Sequence, residues 1–265
     1  MKRLFALLAL LVLPVAGASA ADLPLPFKLP AAPAFNWTGF YVGGNAGGAW
    51  GNGQVSQTFN APPPFLAVDT AAISSSASPS FKPGSATAGV QAGYNYQYGN
   101  WVLGGELDVE YLGLRGVNSG NFPFPSTLPG GAAGPPTAFF NTATSVSADW
   151  LFTARPRVGW AVNEWLLYVT GGLAVGRENF SQSIAILAPF VENSGFATTR
   201  AGWTVGGGVE YAITRNWSIR GEYLHVDLGT VNTTGTLTPP FPGLVQTGSV
   251  RLTTEIARGG LNYRF

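Results

Sequence analysis

Apolar and polar side chains alternate one by one through long stretches of this chain, and a period of two specifies strands with unlike faces. At its end Ala257, Gly259, Leu261, Tyr263 and Phe265 take every second place, with Arg258, Gly260, Asn262 and Arg264 between them. Earlier, Trp101, Leu103, Gly105, Leu107, Val109 and Tyr111 share one face, and Glu106, Asp108 and Glu110 the other. Trp150, Phe152, Ala154, Val158 and Trp160 oppose Arg155 and Arg157. Trp203, Val205, Val209 and Tyr211 oppose Arg200, Thr204 and Glu210, and Trp217, Ile219 and Tyr223 oppose Arg220 and Glu222. The pattern predicts eight strands, near residues 39–51, 87–98, 101–115, 146–161, 165–177, 199–212, 217–228 and 250–265.

Two kinds of connection separate these strands. Those after the second, fourth and sixth are tiny: Gly99-Asn100, Val162-Asn163-Glu164, and residues 213–216. Their Asn, Gly and charged residues suit hairpin turns. Those after the first, third, fifth and seventh are expected to be long, roughly 20 to 35 residues, and hold most of the Pro, Ser, Thr and Asn. The expected fold is therefore all-β: an eight-stranded antiparallel up-and-down transmembrane β-barrel with short periplasmic turns and four long extracellular loops. A soluble sandwich alternates as well. The aromatics decide between them, because Trp101, Trp160, Trp165, Tyr211, Trp217 and Phe265 all stand beside the short turns, as a membrane-interface girdle does.

The beginning of the chain agrees with export. Lys2 and Arg3 precede an apolar run from Leu4 to Val15, and Ala18-Ser19-Ala20 fits a signal-peptide cleavage site. Residues 1–20 are expected to be a signal peptide, 21–38 a Pro-rich periplasmic lead-in of little order, and 39–265 the barrel. Removing Lys2 and Arg3 leaves 12 basic and 13 acidic residues, a balance that argues against nucleic acid as a partner. There is no Cys, so neither disulfides nor thiolate metal sites contribute. Stability must come from a complete backbone hydrogen-bond ladder.

The polar faces collect Glu106, Asp108, Glu110, Glu210 and Glu222 with Arg155, Arg157, Arg220, Arg258 and Arg264. An eight-stranded barrel is narrow enough for side chains to fill it. Charges in so tight a space must pair, which predicts a salt-bridged plug rather than an ion-lined pore. Catalytic patterns are weak. The one histidine, His225, has Asp227 two residues on, but no second catalytic cluster or serine motif accompanies them, so no enzyme is expected. Gly43-Gly44 and Gly206-Gly207-Gly208 lack the lysine or the strand-to-helix context of a phosphate loop, and serve curvature instead. No cofactor or metal site is read. Phe65, Phe122, Phe124, Phe139, Phe140, Phe190 and Phe241 lie in the long connections as candidate anchors for an extracellular partner, or for packing on one another.

Several segments resemble the outer-membrane immunogenic, or porin-family, β-barrel proteins of alphaproteobacteria. These are residues 20–24 (AADLP), residues 38–47 (TGFYVGGNAG), residues 206–211 (GGGVEY), residues 220–223 (RGEY) and residues 260–265 (GLNYRF). The resemblance implies a barrel of the OmpA/OmpX type, with roles in envelope integrity and surface antigenicity and, in some members, haem binding or pore formation as a small porin. It implies contact with outer-membrane lipid and lipopolysaccharide. It also makes Phe265, with Tyr263 and Leu261, the signal read by the barrel assembly machinery. No peptidoglycan-binding domain is expected after the last strand.

Overall fold

The computed structural model describes residues 35–60, 67–125, 139–187, 190–238 and 245–265. The expected signal peptide and most of the lead-in lie outside them. Eight long strands form one antiparallel ring: β1 (Gly39–Asn60), β3 (Gly84–Tyr98), β4 (Trp101–Pro123), β5 (Phe139–Val162), β6 (Trp165–Leu187), β7 (Phe190–Ala212), β8 (Trp217–Thr238) and β9 (Val245–Arg264). β1 closes the ring by pairing with β9, from Tyr41↔Arg264 to Asn60↔Val245. A helix, α1 (Ala67–Ser76), and a two-residue strand, β2 (Ser80–Phe81), fill the connection from β1 to β3. Nine strands are thus present, of which eight make the barrel.

The tight turns fall where the sequence places them. Gly99 (φ +60°) and Asn163 (φ +54°) take the left-handed conformation that a two-residue hairpin demands. Elsewhere the strands run much longer than the pattern predicts. β6 continues to Leu187 and β7 begins at Phe190, which pair with each other, so the connection expected to be long has only two residues. β8 and β9 likewise continue to Thr238 and from Val245. The Ser-, Thr- and Asn-rich stretches read as loops are strand: their backbone groups are satisfied across the ladder, and their side chains are made for water rather than lipid.

The barrel therefore has two zones with opposite radial chemistry. In the zone next to the tight turns, the outward positions are apolar. They include Phe40, Val42, Val90, Leu103, Leu107, Val109, Leu167, Val169, Val205 and Leu261, each between 45% and 67% exposed. Aromatic belts bound this zone. Tyr98, Trp101, Trp160, Trp165, Trp217 and Phe265 form the lower belt, and Trp50, Tyr111, Trp150 and Trp203 the upper. About ten residues separate the belts on β4 and β5, the length of a tilted membrane-crossing strand. Beyond the upper belt the outside turns polar: Gln54, Ser56, Thr58, Asn141 and Thr247 are exposed. The inside there turns apolar, with Val55, Phe81, Leu114, Val146, Leu151, Phe180, Val250, Leu252 and Ile256 buried as one cluster.

Bulges keep the two zones aligned. On β5 the odd positions face inward below Leu151 and the even positions above it, and the register shifts between Ala148 and Leu151. Without that extra residue Val146 and Ala148 would face water. Gly113 (φ +59°) and Gly229 (φ +81°) make the corresponding irregularities on β4 and β8. On β1, a Cβ at Gly47 would collide with the Ala257 carbonyl, which shows why the seam with β9 is glycine-rich.

Candidate functional site

The lumen is built in layers from the tight-turn end upward. At its floor sits Trp37, 2% exposed, packed with Val102, Ala161, Leu166, Tyr168 and Ala212. The Phe35 ring meets it edge-on at 4.8 Å, and the Trp37 backbone N–H donates to Gln97 Oε1 at 2.7 Å. The last residues of the expected lead-in are thus ordered, because burying two aromatic rings in an apolar mouth outweighs the entropy of fixing a short segment.

Above this floor lies the charge network. Nine of the ten charges predicted to face inward are in it. Three strand registers set it up, because Glu106↔Arg155, Glu210↔Arg220 and Glu222↔Arg258 are directly opposed. Two of these opposed pairs bond directly, and further contacts cross the lumen. Arg155 on β5 donates to Glu106 and Asp108 on β4, both at 2.7 Å, and to Glu222 on the far wall at 3.2 Å. Arg220 on β8 reaches across to Glu106 at 2.5 Å instead of holding its opposite number Glu210. Arg157 takes Glu210 at 3.0 Å, and its guanidinium lies over the Tyr168 ring at 4.0 Å. Arg258 binds Glu222 at 2.6 Å, Asp108 at 3.3 Å and Glu110.

Neutral donors and acceptors complete the shell. Tyr41 Oη donates to Glu106 at 2.7 Å, Thr87 to Glu110 at 2.7 Å, Thr153 to Asp108 at 2.5 Å, and Ser218 to Glu210 at 2.6 Å. Tyr168 Oη and Asn262 Nδ2 donate to Glu222 and Glu210. The sequence singles out none of Tyr41, Thr153 and Ser218, because alternation alone does not say which hydroxyl reaches a carboxylate.

The tenth charge stands apart. Arg264 lies at the rim, donating to the backbone carbonyls of Asn36 and Arg215, with Phe35 beneath its guanidinium at 4.2 Å. The network therefore holds five carboxylates and four guanidiniums among the described residues.

Higher still come the apolar cluster and then a layer of amides. Gln246 Nε2 lies 3.0 Å from Gln57 Oε1, and Gln182 donates to Thr144 and to the Ala77 carbonyl at the end of α1. Two carboxyls sit at this polar-outside end without a cation in contact among the described residues. Burial raises both Glu178 and Glu192 to about 7. The top layer packs Ile73 of α1 and Ala77 just after it against Phe59, Phe140 and Ile184, with Phe122 and Phe124 on their edge. Of the phenylalanines proposed as anchors, Phe122, Phe124 and Phe140 are thus used to stack on one another, while Phe139 stays exposed. Phe65 and Phe241, and the side chain of Phe190, lie outside the described residues. The helix was not legible in the sequence, because Ile73 is the one apolar side chain it buries fully.

The remaining candidates separate. His225 lies near the upper belt, with Nδ1 2.5 Å from Glu255 Oε1 and its ring beside Trp203. Asp227 is held instead by Arg251 at 2.6 Å and by the Gly229 N–H at 2.8 Å. They do not form a dyad. Phe265 is 74% exposed on the apolar face, with its N–H on the Phe40 carbonyl at 3.1 Å and its ring edge-on to Tyr263. A shallow groove of about 740 Å³ on the outer wall, between Val42, Val90, Leu107 and Leu261, is apolar and faces away from the network.

Residues 5–265 match the family model of the outer membrane protein beta-barrel domain. The chain belongs to this family. A 31 kDa outer-membrane immunogenic protein of Brucella melitensis is 33% identical over 258 residues, 94% of this chain and 93% of its own length. A 22 kDa outer membrane protein of Rhizobium leguminosarum is 29% identical over 76% of this chain and 68% of its own. Among solved structures, the outer membrane protein OprG from Pseudomonas aeruginosa matches with a TM-score of 0.45 and 10% identity, covering 87% of this chain and 98% of its own. The family fixes the setting as the outer membrane, so the apolar zone between the aromatic belts faces lipid.

Proposed function

We propose that this barrel is a non-catalytic envelope and surface-interaction protein whose lumen is closed by paired charges. The observation that carries this reading is Arg155. Its side chain is fully buried while it binds carboxylates from β4 and from β8, so one residue ties opposite walls together. A solute would have to break these pairs and leave several unpaired charges in a dry space. The apolar layer above and Trp37 below add two further barriers. The polar-outside zone is taken to project from the cell, with the tight turns and Trp37 in the periplasm. Its hydroxyl-rich outer wall suits contact with lipopolysaccharide or with another cell. Exposure of Phe265 beside the closing seam of β9 and β1 supports its role as the signal for the barrel assembly machinery.

Planar-bilayer recording of the refolded barrel tests the closed lumen. The expected result is a membrane that stays silent after insertion. Reproducible unitary steps would replace this reading with that of a small porin.

A further inference from the structure

The amide layer at the polar-outside end brings two acceptors face to face. Gln182 Nε2 donates to the Ala77 carbonyl at 2.9 Å and to Thr144 at 2.8 Å, and a carbonyl only accepts, so the Gln182 amide cannot turn. Its Oε1 needs a donor, which Gln246 Nε2 supplies at 3.1 Å while donating also to Gln57 Oε1 at 3.0 Å. These bonds fix the Gln246 amide. Its oxygen is left facing the Glu192 carboxylate, 3.0 Å from one carboxylate oxygen and in contact with the other. Turning the amide only moves the conflict, because its oxygen would then face the Gln57 and Gln182 oxygens. Two acceptors held together in a dry interior call for a positive charge between them.

The surroundings add oxygen and room but no side-chain cation. Ser194, 8% exposed, faces inward on β7, two residues from Glu192 and opposite Gln182. Its Oγ has no hydrogen-bond partner among the described residues. Gly235 on β8 leaves space where the oxygens converge, since a Cβ there would strike both Gln246 Oε1 and Glu192 Oε1. No basic side chain pairs with Glu192 among the described residues, and burial alone raises its carboxyl. The wall beside this layer is also incomplete. β7 and β8 pair from Val191↔Thr238 to Asn193↔Thr236 and again from Trp203↔Asp227 to Ala212↔Ser218, with no ladder pair between these stretches among the described residues. The tip of β7 is thus joined to β8 by three pairs, and the break begins at Ser194.

We infer that the Glu192 carboxylate and Gln246 Oε1, with Ser194 Oγ, hold a hard divalent cation of calcium's size, which ties the tip of β7 to β9 past the break in the ladder. Carboxylate, amide and hydroxyl oxygens are the donors such an ion takes. Flexible amide ligands suit calcium better than magnesium, which demands near-ideal octahedral geometry. Gln57 and Gln182 act behind the ligands: they accept from Gln246 Nε2 and so turn its oxygen toward the ion. The break in the wall supplies the entry path that a buried site needs. Such a clamp depends neither on closure of the lumen nor on which way the barrel faces.

The test titrates calcium chloride into the refolded, chelator-washed full barrel in detergent at pH 8. Binding is read by isothermal titration calorimetry, and the tip by hydrogen exchange of the β6–β7 peptides. The wild type should bind calcium with a dissociation constant of about 10⁻⁴–10⁻³ M, the range of extracellular calcium modules, and exchange at the tip should slow. E192Q keeps the shape and removes the charge, so it should weaken binding by about tenfold or more. Q246E adds a second carboxylate and should strengthen binding by about as much. Magnesium should bind the wild type more weakly than calcium does. No calcium binding by the wild type, or a calcium response in E192Q equal to the wild type's, would overturn the site. Should E192Q fail to fold, as judged by its heat-modifiable band, Q246E decides: tighter binding supports the site and unchanged binding sinks it. Magnesium bound as tightly as calcium would overturn the assignment to the larger ion.

Discussion

A guanidinium shared by three carboxylates is worth more than any one of its contacts. Exposed ion pairs are screened and contribute about 0–1 kcal/mol. Arg155 is fully buried, so removing it takes one cation from each of Glu106, Asp108 and Glu222 and leaves five carboxylates facing three guanidiniums. Arg155→Ala should lower barrel stability by about 3–5 kcal/mol, the range for breaking a buried pair, measured as urea unfolding in lipid vesicles. Adding Glu106→Gln should recover part of that loss, because the excess of carboxylates over guanidiniums then returns to one. A double variant no more stable than the single one would mean that the lumen is solvated. Glu192 behaves in the opposite way. Burial raises its carboxyl to about 7, so the folded state holds a proton more tightly than the unfolded chain. Its contribution to stability is therefore fully present below the usual carboxylate range near 4.5 and is lost as pH rises through about 7. Glu178 shares this sign. Hydrogen exchange at the β6–β7 tip, corrected for its intrinsic rate, should be slower at pH 5 than at pH 8. The E178Q/E192Q variant should show no such difference. A pH dependence that survives both substitutions would assign it elsewhere.

At the scale of elements, the strands carry two different instructions. In the membrane zone alternation is strict, because lipid outside and paired charge inside leave no tolerance for slips. That is why the tight turns, the lower girdle and the inward charges of β4, β5, β7 and β8 are legible from residues alone. Beyond the upper belt the same period continues, but with Ser, Thr and Asn outside it looks like loop composition. Pairing partners, absent from any single segment, decide that it is strand. The cross-lumen contacts are illegible for a related reason: Arg220 chooses Glu106 over its opposed Glu210 only once the ring has closed. The orientation of these elements makes a direct prediction. Single cysteines at Ser75 on α1 and Asn118 on β4, both exposed, should react with an impermeant thiol reagent on intact cells. One at Glu164, in the turn between β5 and β6, should react only after the envelope is opened. Labelling of Glu164→Cys on intact cells would invert the barrel.

For the whole molecule the proposed function puts four closures in series: Trp37 and its neighbours at the floor, the charge network, the apolar cluster, and α1 under its phenylalanine stack. Barriers in series have a clear consequence. Opening one leaves the others in place, so loss of stability and gain of conductance need not go together. A pore lined by the same charges behaves differently, since its current and ion preference follow the charge of its narrowest ring. The R155A/E106Q variant separates these cases. If the layers close the lumen, this variant should unfold at lower urea than the wild type yet remain electrically silent in a planar bilayer. Adding Trp37→Ala should still leave it silent, because the apolar cluster from Val55 to Ile256 has no charge to hydrate and stays packed. If the wild type conducts, and R155A/E106Q changes its cation-to-anion preference, the current runs through the network and the lumen is a channel.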